Sequence, residues 1–317
     1  MDKINHPQRD LERRTLLSAI GAIGLGAAIP LPARAYSSPM DRLPHRLPAQ
    51  TQWDAEPPQA PAHSGHIPID GDRLYYWDTG GTGPAIALLH ANTGSAMTWG
   101  YQQPVMAGAG YRVIGYSRRG HQGSEVQPGS PQGSAVDDLR HLLDSLEIDR
   151  CHIVATAAGG FTASDFAILH PDRLHSLIIA SSWCGITEPG FVHVSRAMLP
   201  PGFHDLPPEF REVGPSYRAG NPAGTARWVD LQRAAIPGDS VRQPRSVEVT
   251  PDALARLPFP ILLMTGDADL YMPPSLMRGL AARLPNAQMV VIGEAGHAAY
   301  WEQPRAFNQA VLEFIGR

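Results

Sequence analysis

The sequence predicts an α/β protein: a mostly parallel sheet flanked by helices, with a helical cap inserted over one edge. Short, nearly continuous apolar runs alternate with helical patterns along most of its 317 residues. Such runs mark strands buried on both faces, as in a parallel sheet covered by helices. One long interval breaks the alternation, and it is rich in prolines, aromatics and helical fragments. The composition, 43% hydrophobic and 18% charged with a net charge of -4, suits one large domain with an insertion. It lacks the basic field that nucleic-acid binding needs.

The N-terminus reads as a leader. Arg13 and Arg14 precede an apolar stretch from Leu16 to Ile29 and then Ala33-Arg34-Ala35. A charged start, a short apolar core and an A-x-A site describe a cleaved export signal over residues 1–35. The paired arginines point to the Tat translocon and to a periplasmic or secreted bacterial protein. The apolar run falls short of the roughly 20 residues that span a bilayer, so no stable membrane span is expected after cleavage. Residues 36–64 are Pro-rich without a sustained apolar period, and read as a disordered linker.

From Gly65 the elements follow in order. "HIPIDGDRLYYWDTG" reads as two strands around an Asp-Gly turn. The runs at 85–90, 111–116, 151–156, 174–182, 260–266 and 287–293 read as parallel strands. Between the second and third of these, Val136, Leu139, Leu142, Leu143 and Leu146 share one helical face. Residues 65–182 and 250–317 thus form the core. Residues 183–249 form a cap over the strand C-terminal ends, where ligands bind in such sheets. Cys151 begins one strand and Cys184 lies beyond the end of its neighbour. A strand is about 17–20 Å long, whereas bridged Cα atoms lie within about 7 Å. Two free thiols are expected.

Five segments carry the chemistry: "LLHANTGSAMTW" (88–99), "YSRRGHQGS" (116–124), "VATAAGGF" (154–161), "LLMTGDADLYMPP" (262–274) and "IGEAGHAAYWEQP" (292–304). In this order they resemble the oxyanion loop, the Arg-Gly segment, the nucleophile elbow, and the acid and histidine segments of the α/β-hydrolase superfamily, across nearly all of residues 65–317. The resemblance implies Asp269 as the acid, His297 as the base, and the backbone N–H groups of Asn92 and Ala158 as the oxyanion hole. Asp267 is an alternative to Asp269. Aspartate on one ring nitrogen fixes the imidazole tautomer and leaves the other nitrogen free to take a proton.

The elbow departs from the family pattern. Ala155 stands for the first glycine of G-x-S-x-G, and Ala157 occupies the nucleophile position without a hydroxyl. A methyl group forms no acyl-enzyme. Thr156 should point away from the pocket, and Ser117 is the least implausible substitute. Ala157 is either natural to this chain or an engineered replacement of a parental serine. The export leader, Ser117 and Ala155 favour the natural origin. Three readings follow. His297 with Asp269 is a general base for hydrolysis of an ester, lactone or C–C bond. Alternatively the same base makes the protein a lyase, isomerase or cofactor-free oxygenase. In the third reading the protein is a non-catalytic binder. His90, Trp183, Tyr271 and Tyr300 are expected to line a pocket for a small hydrophobic or aromatic carbonyl compound. Neither a phosphate loop nor a metal-type ligand cluster occurs, so no cofactor or metal is expected.

Overall fold

Both residues of the Asp70-Gly71 turn have positive φ, 50° and 89°, the geometry that matches the twist of a two-residue hairpin. The turn joins strand β2 (His63–Ile69) to strand β3 (Asp72–Asp78), the antiparallel pair that begins the main body of the fold. The computed structural model describes residues 45–50 and 52–316. The export leader therefore lies outside the described residues.

The strands are β1 (Arg46–Leu47), β2 (His63–Ile69), β3 (Asp72–Asp78), β4 (Ala85–Leu89), β5 (Arg112–Tyr116), β6 (Cys151–Thr156), β7 (Leu174–Ala180), β8 (Ile261–Gly266) and β9 (Ala287–Ile292). The helices are α1 (Gln103–Gly108), α2 (Ala135–Ser145), α3 (Gly159–Leu169), α4 (Pro189–Ala197), α5 (Pro208–Glu212), α6 (Pro215–Gly220), α7 (Pro222–Ala235), α8 (Pro251–Ala255), α9 (Pro274–Ala281), α10 (Ala299–Glu302) and α11 (Pro304–Ile315). Each of the six predicted parallel strands is present.

The nine strands form one sheet in the order β1-β9-β8-β7-β6-β4-β5-β3-β2, antiparallel only where β3 meets β2 and β5. Successive residues of the central strands feed two cores. Ile153 and Ala155 pack on one face and Val154 on the other, which explains the unbroken apolar runs. Helix α2 buries Val136, Leu139, Leu142 and Leu143, as its spacing predicts.

Strand β4 lies between β5 and β6. The chain leaves it toward one side of the sheet and later returns on the other. The crevice at the C-terminal ends of β4 and β6 is therefore the topological switch point, where open α/β sheets bind ligands. Helices α4–α7 lie in the insertion between β7 and β8. A parallel bridge between Ile186 and Val249 closes its root.

Of the predicted linker 36–64, residues 45–50 and 52–64 are described, and they are not the disordered tether that composition predicts. Arg46 and Leu47 pair with Val291 and Ile292 of β9, and Leu47 is buried. Trp53 packs edge-on to Tyr217, with ring centroids 5.8 Å apart. The Tyr101 hydroxyl donates to Asp54 O at 2.9 Å, and the Gln103 side chain brackets the Ala60 backbone at 2.8 and 2.9 Å. Isolated anchors separated by prolines hold this stretch without any apolar period. Cys151 and Cys184 are buried free thiols, as expected, and burial pushes both up to about 12.

Candidate active site

The corner between β6 and α3 is sharp. Ala157 has φ of 48°, a left-handed conformation that costs an L-residue about 1–3 kcal/mol. Two close approaches fix the corner. A Cβ on Gly159 would lie 2.2 Å from Leu89 O, and one on Gly160 would lie 2.5 Å from Ser182 Oγ. The strand–elbow–helix geometry therefore forms without the serine, with Ala157 Cβ at the nucleophile position.

Strand register places the oxyanion loop beside this corner, because Leu89 pairs with Ala155. Asn92 and Ala158 line the same cavity. Among the described residues neither backbone N–H has a protein acceptor outside regular structure, so both remain open for a ligand oxygen. Thr93 Oγ1 donates to Glu212 Oε2 at 2.7 Å, which ties this loop to α5 of the cap.

Asp269 and His297 meet as the motif order predicts. His297 Nδ1 lies 2.9 and 3.0 Å from the two Asp269 oxygens. Asp269 Oδ1 also accepts the N–H groups of Tyr271 (2.9 Å) and Met272 (3.0 Å). Nδ1 therefore carries the proton, and in the neutral ring Nε2 keeps its lone pair. Burial acts to lower the His297 pKa, but the carboxylates of Asp269, Glu212 and Glu302 outweigh it and raise it. Burial likewise acts to raise Asp269, yet the neighbouring imidazolium and the donated hydrogen bonds hold it below its ordinary value. Asp267 is elsewhere, paired with Arg46 at 2.7 Å.

Glu302 braces the histidine loop. Its Oε2 accepts Gly214 N at 2.7 Å and Gly296 N at 3.0 Å, joining the residue before His297 to the cap. Burial pushes its carboxyl up to about 8.

The cavity has a volume of about 920 Å³. Trp183 and Tyr271 line it, as expected, and the Tyr271 ring packs on that of His297 with centroids 4.5 Å apart. Two other predicted pocket residues do not line it. His90 is fully buried: Nδ1–H donates to Ala91 O at 2.7 Å, and Nε2 accepts the Arg118 N–H at 3.1 Å. It bolts two loops together. Tyr300 sits in the second core against Trp99, with centroids 5.3 Å apart. Ser117 is no substitute nucleophile, since its buried Oγ accepts the Ala96 N–H at 2.9 Å. Thr156 is also buried and does not line the cavity. Motif reading missed Glu212, Thr93 and Arg118. The one visible signal was the doubled arginine of "YSRRG". Arg119 is committed to Asp138 (2.9 Å), Asp72 (2.7 Å) and Asp70 (3.0 Å), which leaves Arg118 over. No group of three or more His, Cys, Asp or Glu among the described residues is placed to hold a metal. No described helix is long and apolar enough to cross a membrane.

A parallel sheet with an elbow after β6, open N–H donors beside it and an Asp–His pair from the last strand loops defines the α/β-hydrolase fold. The chain belongs to the alpha/beta hydrolase family, whose model matches residues 86–310. It is 27% identical over 276 residues to a 2-hydroxy-6-oxononadienedioate/2-hydroxy-6-oxononatrienedioate hydrolase of Cupriavidus pinatubonensis, covering 78% of this chain and 93% of that one. A 2-hydroxy-6-oxo-6-phenylhexa-2,4-dienoate hydrolase of Comamonas testosteroni is 26% identical, over 77% and 92% of the two chains. Among solved structures, an esterase from Thermogutta terrifontis has a TM-score of 0.64 at 25% identity, covering 80% and 98%. The enol-lactonase of Burkholderia xenovorans shares the fold with a TM-score of 0.65 at 22% identity, covering 80% and 100%.

Proposed function

We propose that this protein is a hydrolase that works without a covalent nucleophile. His297, held by Asp269, takes a proton from water as the water attacks a carbonyl carbon of the substrate. The N–H groups of Asn92 and Ala158 receive the oxyanion. A general base is worth about 10²–10⁴-fold and an oxyanion donor about 10²–10³-fold, enough for a working enzyme without an acyl intermediate. The observation that carries the reading is the pairing of an intact Asp269–His297 dyad with a strained elbow that bears only a methyl group. The substrate is a small carbonyl compound with an apolar or aromatic body, cleaved at an ester, lactone or C–C bond. The hydrolase relatives and the Trp183 and Tyr271 walls support this class. The twin-arginine leader supports Tat export to the periplasm or beyond.

The test is a pair of measurements on the intact protein. A serine-directed phosphonate should leave it unlabelled, and His297→Ala should abolish turnover of p-nitrophenyl acetate. Stoichiometric labelling, or turnover that survives the loss of His297, would refute the mechanism.

A further inference from the structure

The cavity wall carries an imbalance of charge that the dyad and oxyanion hole do not use. Four arginines line it, Arg118, Arg196, Arg242 and Arg245, against the single carboxylate of Asp165. That carboxylate is taken: Arg245 Nε donates to Asp165 Oδ2 at 2.9 Å, and Ser246 N donates to the same oxygen at 3.0 Å. Among the described residues no carboxylate lies within ion-pair distance of Arg118, Arg196 or Arg242. Arg196 and Arg242 are exposed and held by solvent. Arg118 is different. It lines the cavity with Asn92 and Ala158, and its Nη2 donates to Ala91 O at 3.2 Å, one residue from the oxyanion donor. Its Nε is buried and has no partner. Burial acts to lower its pKa, and only the Tyr116 phenol opposes this. The imidazoles nearest it, His90 and His121, are both shifted well down by burial and by this cation, so they remain neutral beside it.

We infer that Arg118 binds a carboxylate of the substrate, so the preferred substrates are carbonyl compounds that carry an acid group near the reacting carbonyl. The inference rests on the carbonyl-hydrolase reading of the site given above. Arg118 is half-buried, and a guanidinium whose Nε is shut from solvent without a partner is costly unless an anion pairs with it. A carboxylate fits its planar fork in a two-bond arrangement. One deep cation matches one negative charge, which favours a carboxylate over a phosphate. Arg196 and Arg242 act at a distance, raising the local concentration of anions at the mouth.

Calorimetric binding of 5-oxohexanoate and of its neutral amide, 5-oxohexanamide, tests this without requiring turnover. The two ligands share a ketone that is not hydrolysed and differ in one charge. The wild-type protein should bind the acid about 10–100-fold more tightly, the range of a hydrogen bond to a charged group. Arg118→Gln should remove that preference, and Arg118→Lys should retain part of it. The pair Arg196→Gln and Arg242→Gln should keep the preference while slowing association at low salt. Equal affinities in the wild type would overturn the inference, and that comparison needs no variant to fold. So would a loss in Arg118→Gln shared equally by acid and amide, which would assign Arg118 to the carbonyl oxygen. A loss of the preference in the Arg196→Gln, Arg242→Gln protein alone would place the anion at the rim instead. Failure of the hydrolytic mechanism would leave the acid–amide difference in place, so the two readings fail separately.

Discussion

Replacing Asp269 with asparagine isolates the orientation of His297 from its presence. Asp269 Oδ1 accepts two backbone N–H groups, from Tyr271 at 2.9 Å and Met272 at 3.0 Å. An asparagine must keep its carbonyl oxygen on those donors, because an amide NH2 there would face two N–H groups. Its NH2 therefore takes the Oδ2 position, 3.0 Å from His297 Nδ1. Nδ1 also lies 2.9 Å from the retained carbonyl oxygen; once it accepts from the NH2 instead, the ring proton moves to Nε2, and the nitrogen that takes a proton from water in the proposed mechanism is already protonated. In a serine-protease triad this tautomer change costs about 10⁴-fold in kcat. A loss of about 10³–10⁴-fold is expected here, which at 1.36 kcal/mol per decade is about 4–5.5 kcal/mol of transition-state stabilisation. The assay is turnover of p-nitrophenyl acetate, read together with imidazole ¹⁵N shifts, which report the tautomer with no substrate present. The side chains are nearly isosteric, so thermal unfolding should change little. An Asp269→Asn protein that keeps activity within tenfold of wild type, or still shows an Nδ1–H imidazole, would refute the reasoning.

Four further outcomes follow from the same geometry. The carboxylates around His297 raise its pKa; a base must be deprotonated to act, so the acid limb of the kcat/KM profile should lie above the ordinary histidine value of about 6.5. Glu212→Gln removes one of those charges, destabilises the imidazolium and should move the limb to lower pH; an unmoved limb would show that Glu212 does not act on His297. Ala157→Ser should become labelled by a serine-directed phosphonate and gain esterase activity, since even a small part of the roughly 10⁶-fold contribution of such a nucleophile is measurable. Gly159→Ala sets a Cβ 2.2 Å from Leu89 O and 2.8 Å from His90 O, both backbone atoms that cannot turn aside; overpacking of about 1–3 kcal/mol or more should lower Tm and activity together.

The parts of the fold and site legible in the sequence were those set by local pattern. β4, β6, β7, β8 and β9 are continuous apolar runs because both sheet faces are covered. Asp269 and His297 were legible through the resemblance of their segments to the acid and histidine motifs, and each follows the end of one of two paired strands, β8 and β9. Long-range balance was not legible. Leu47 and Trp53 are single anchors in a Pro-rich stretch, so nothing periodic distinguishes them from a tether. His90 and Tyr300 are near the site in sequence, yet both ring nitrogens of His90 are used by neighbouring loops and Tyr300 faces the second core. Glu212 reaches the histidine from an insertion helix, and the free charge of Arg118 becomes visible only once Asp70, Asp72 and Asp138 are all seen to hold Arg119.

The elbow shows why a missing hydroxyl need not dismantle the site. The corner that turns Ala157 to positive φ is imposed by contacts on either side of it, Gly159 against the Leu89 carbonyl and Gly160 against Ser182. Neither contact involves the side chain at position 157. The Ala158 N–H is aimed by the same corner, and the Asn92 N–H by the β4–β6 register. The orientation of His297 comes from Asp269, from the Tyr271 ring and from the loop that Glu302 braces. Under the proposed mechanism, oxyanion stabilisation and base orientation thus rest on supports independent of the nucleophile position, and a methyl group there lacks only the covalent step. The strain of about 1–3 kcal/mol at Ala157 is a cost of placing the Ala158 N–H, not of presenting a nucleophile. In the proposed mechanism a water molecule takes the place of the serine Oγ, and His297 Nε2 is the acceptor for its proton.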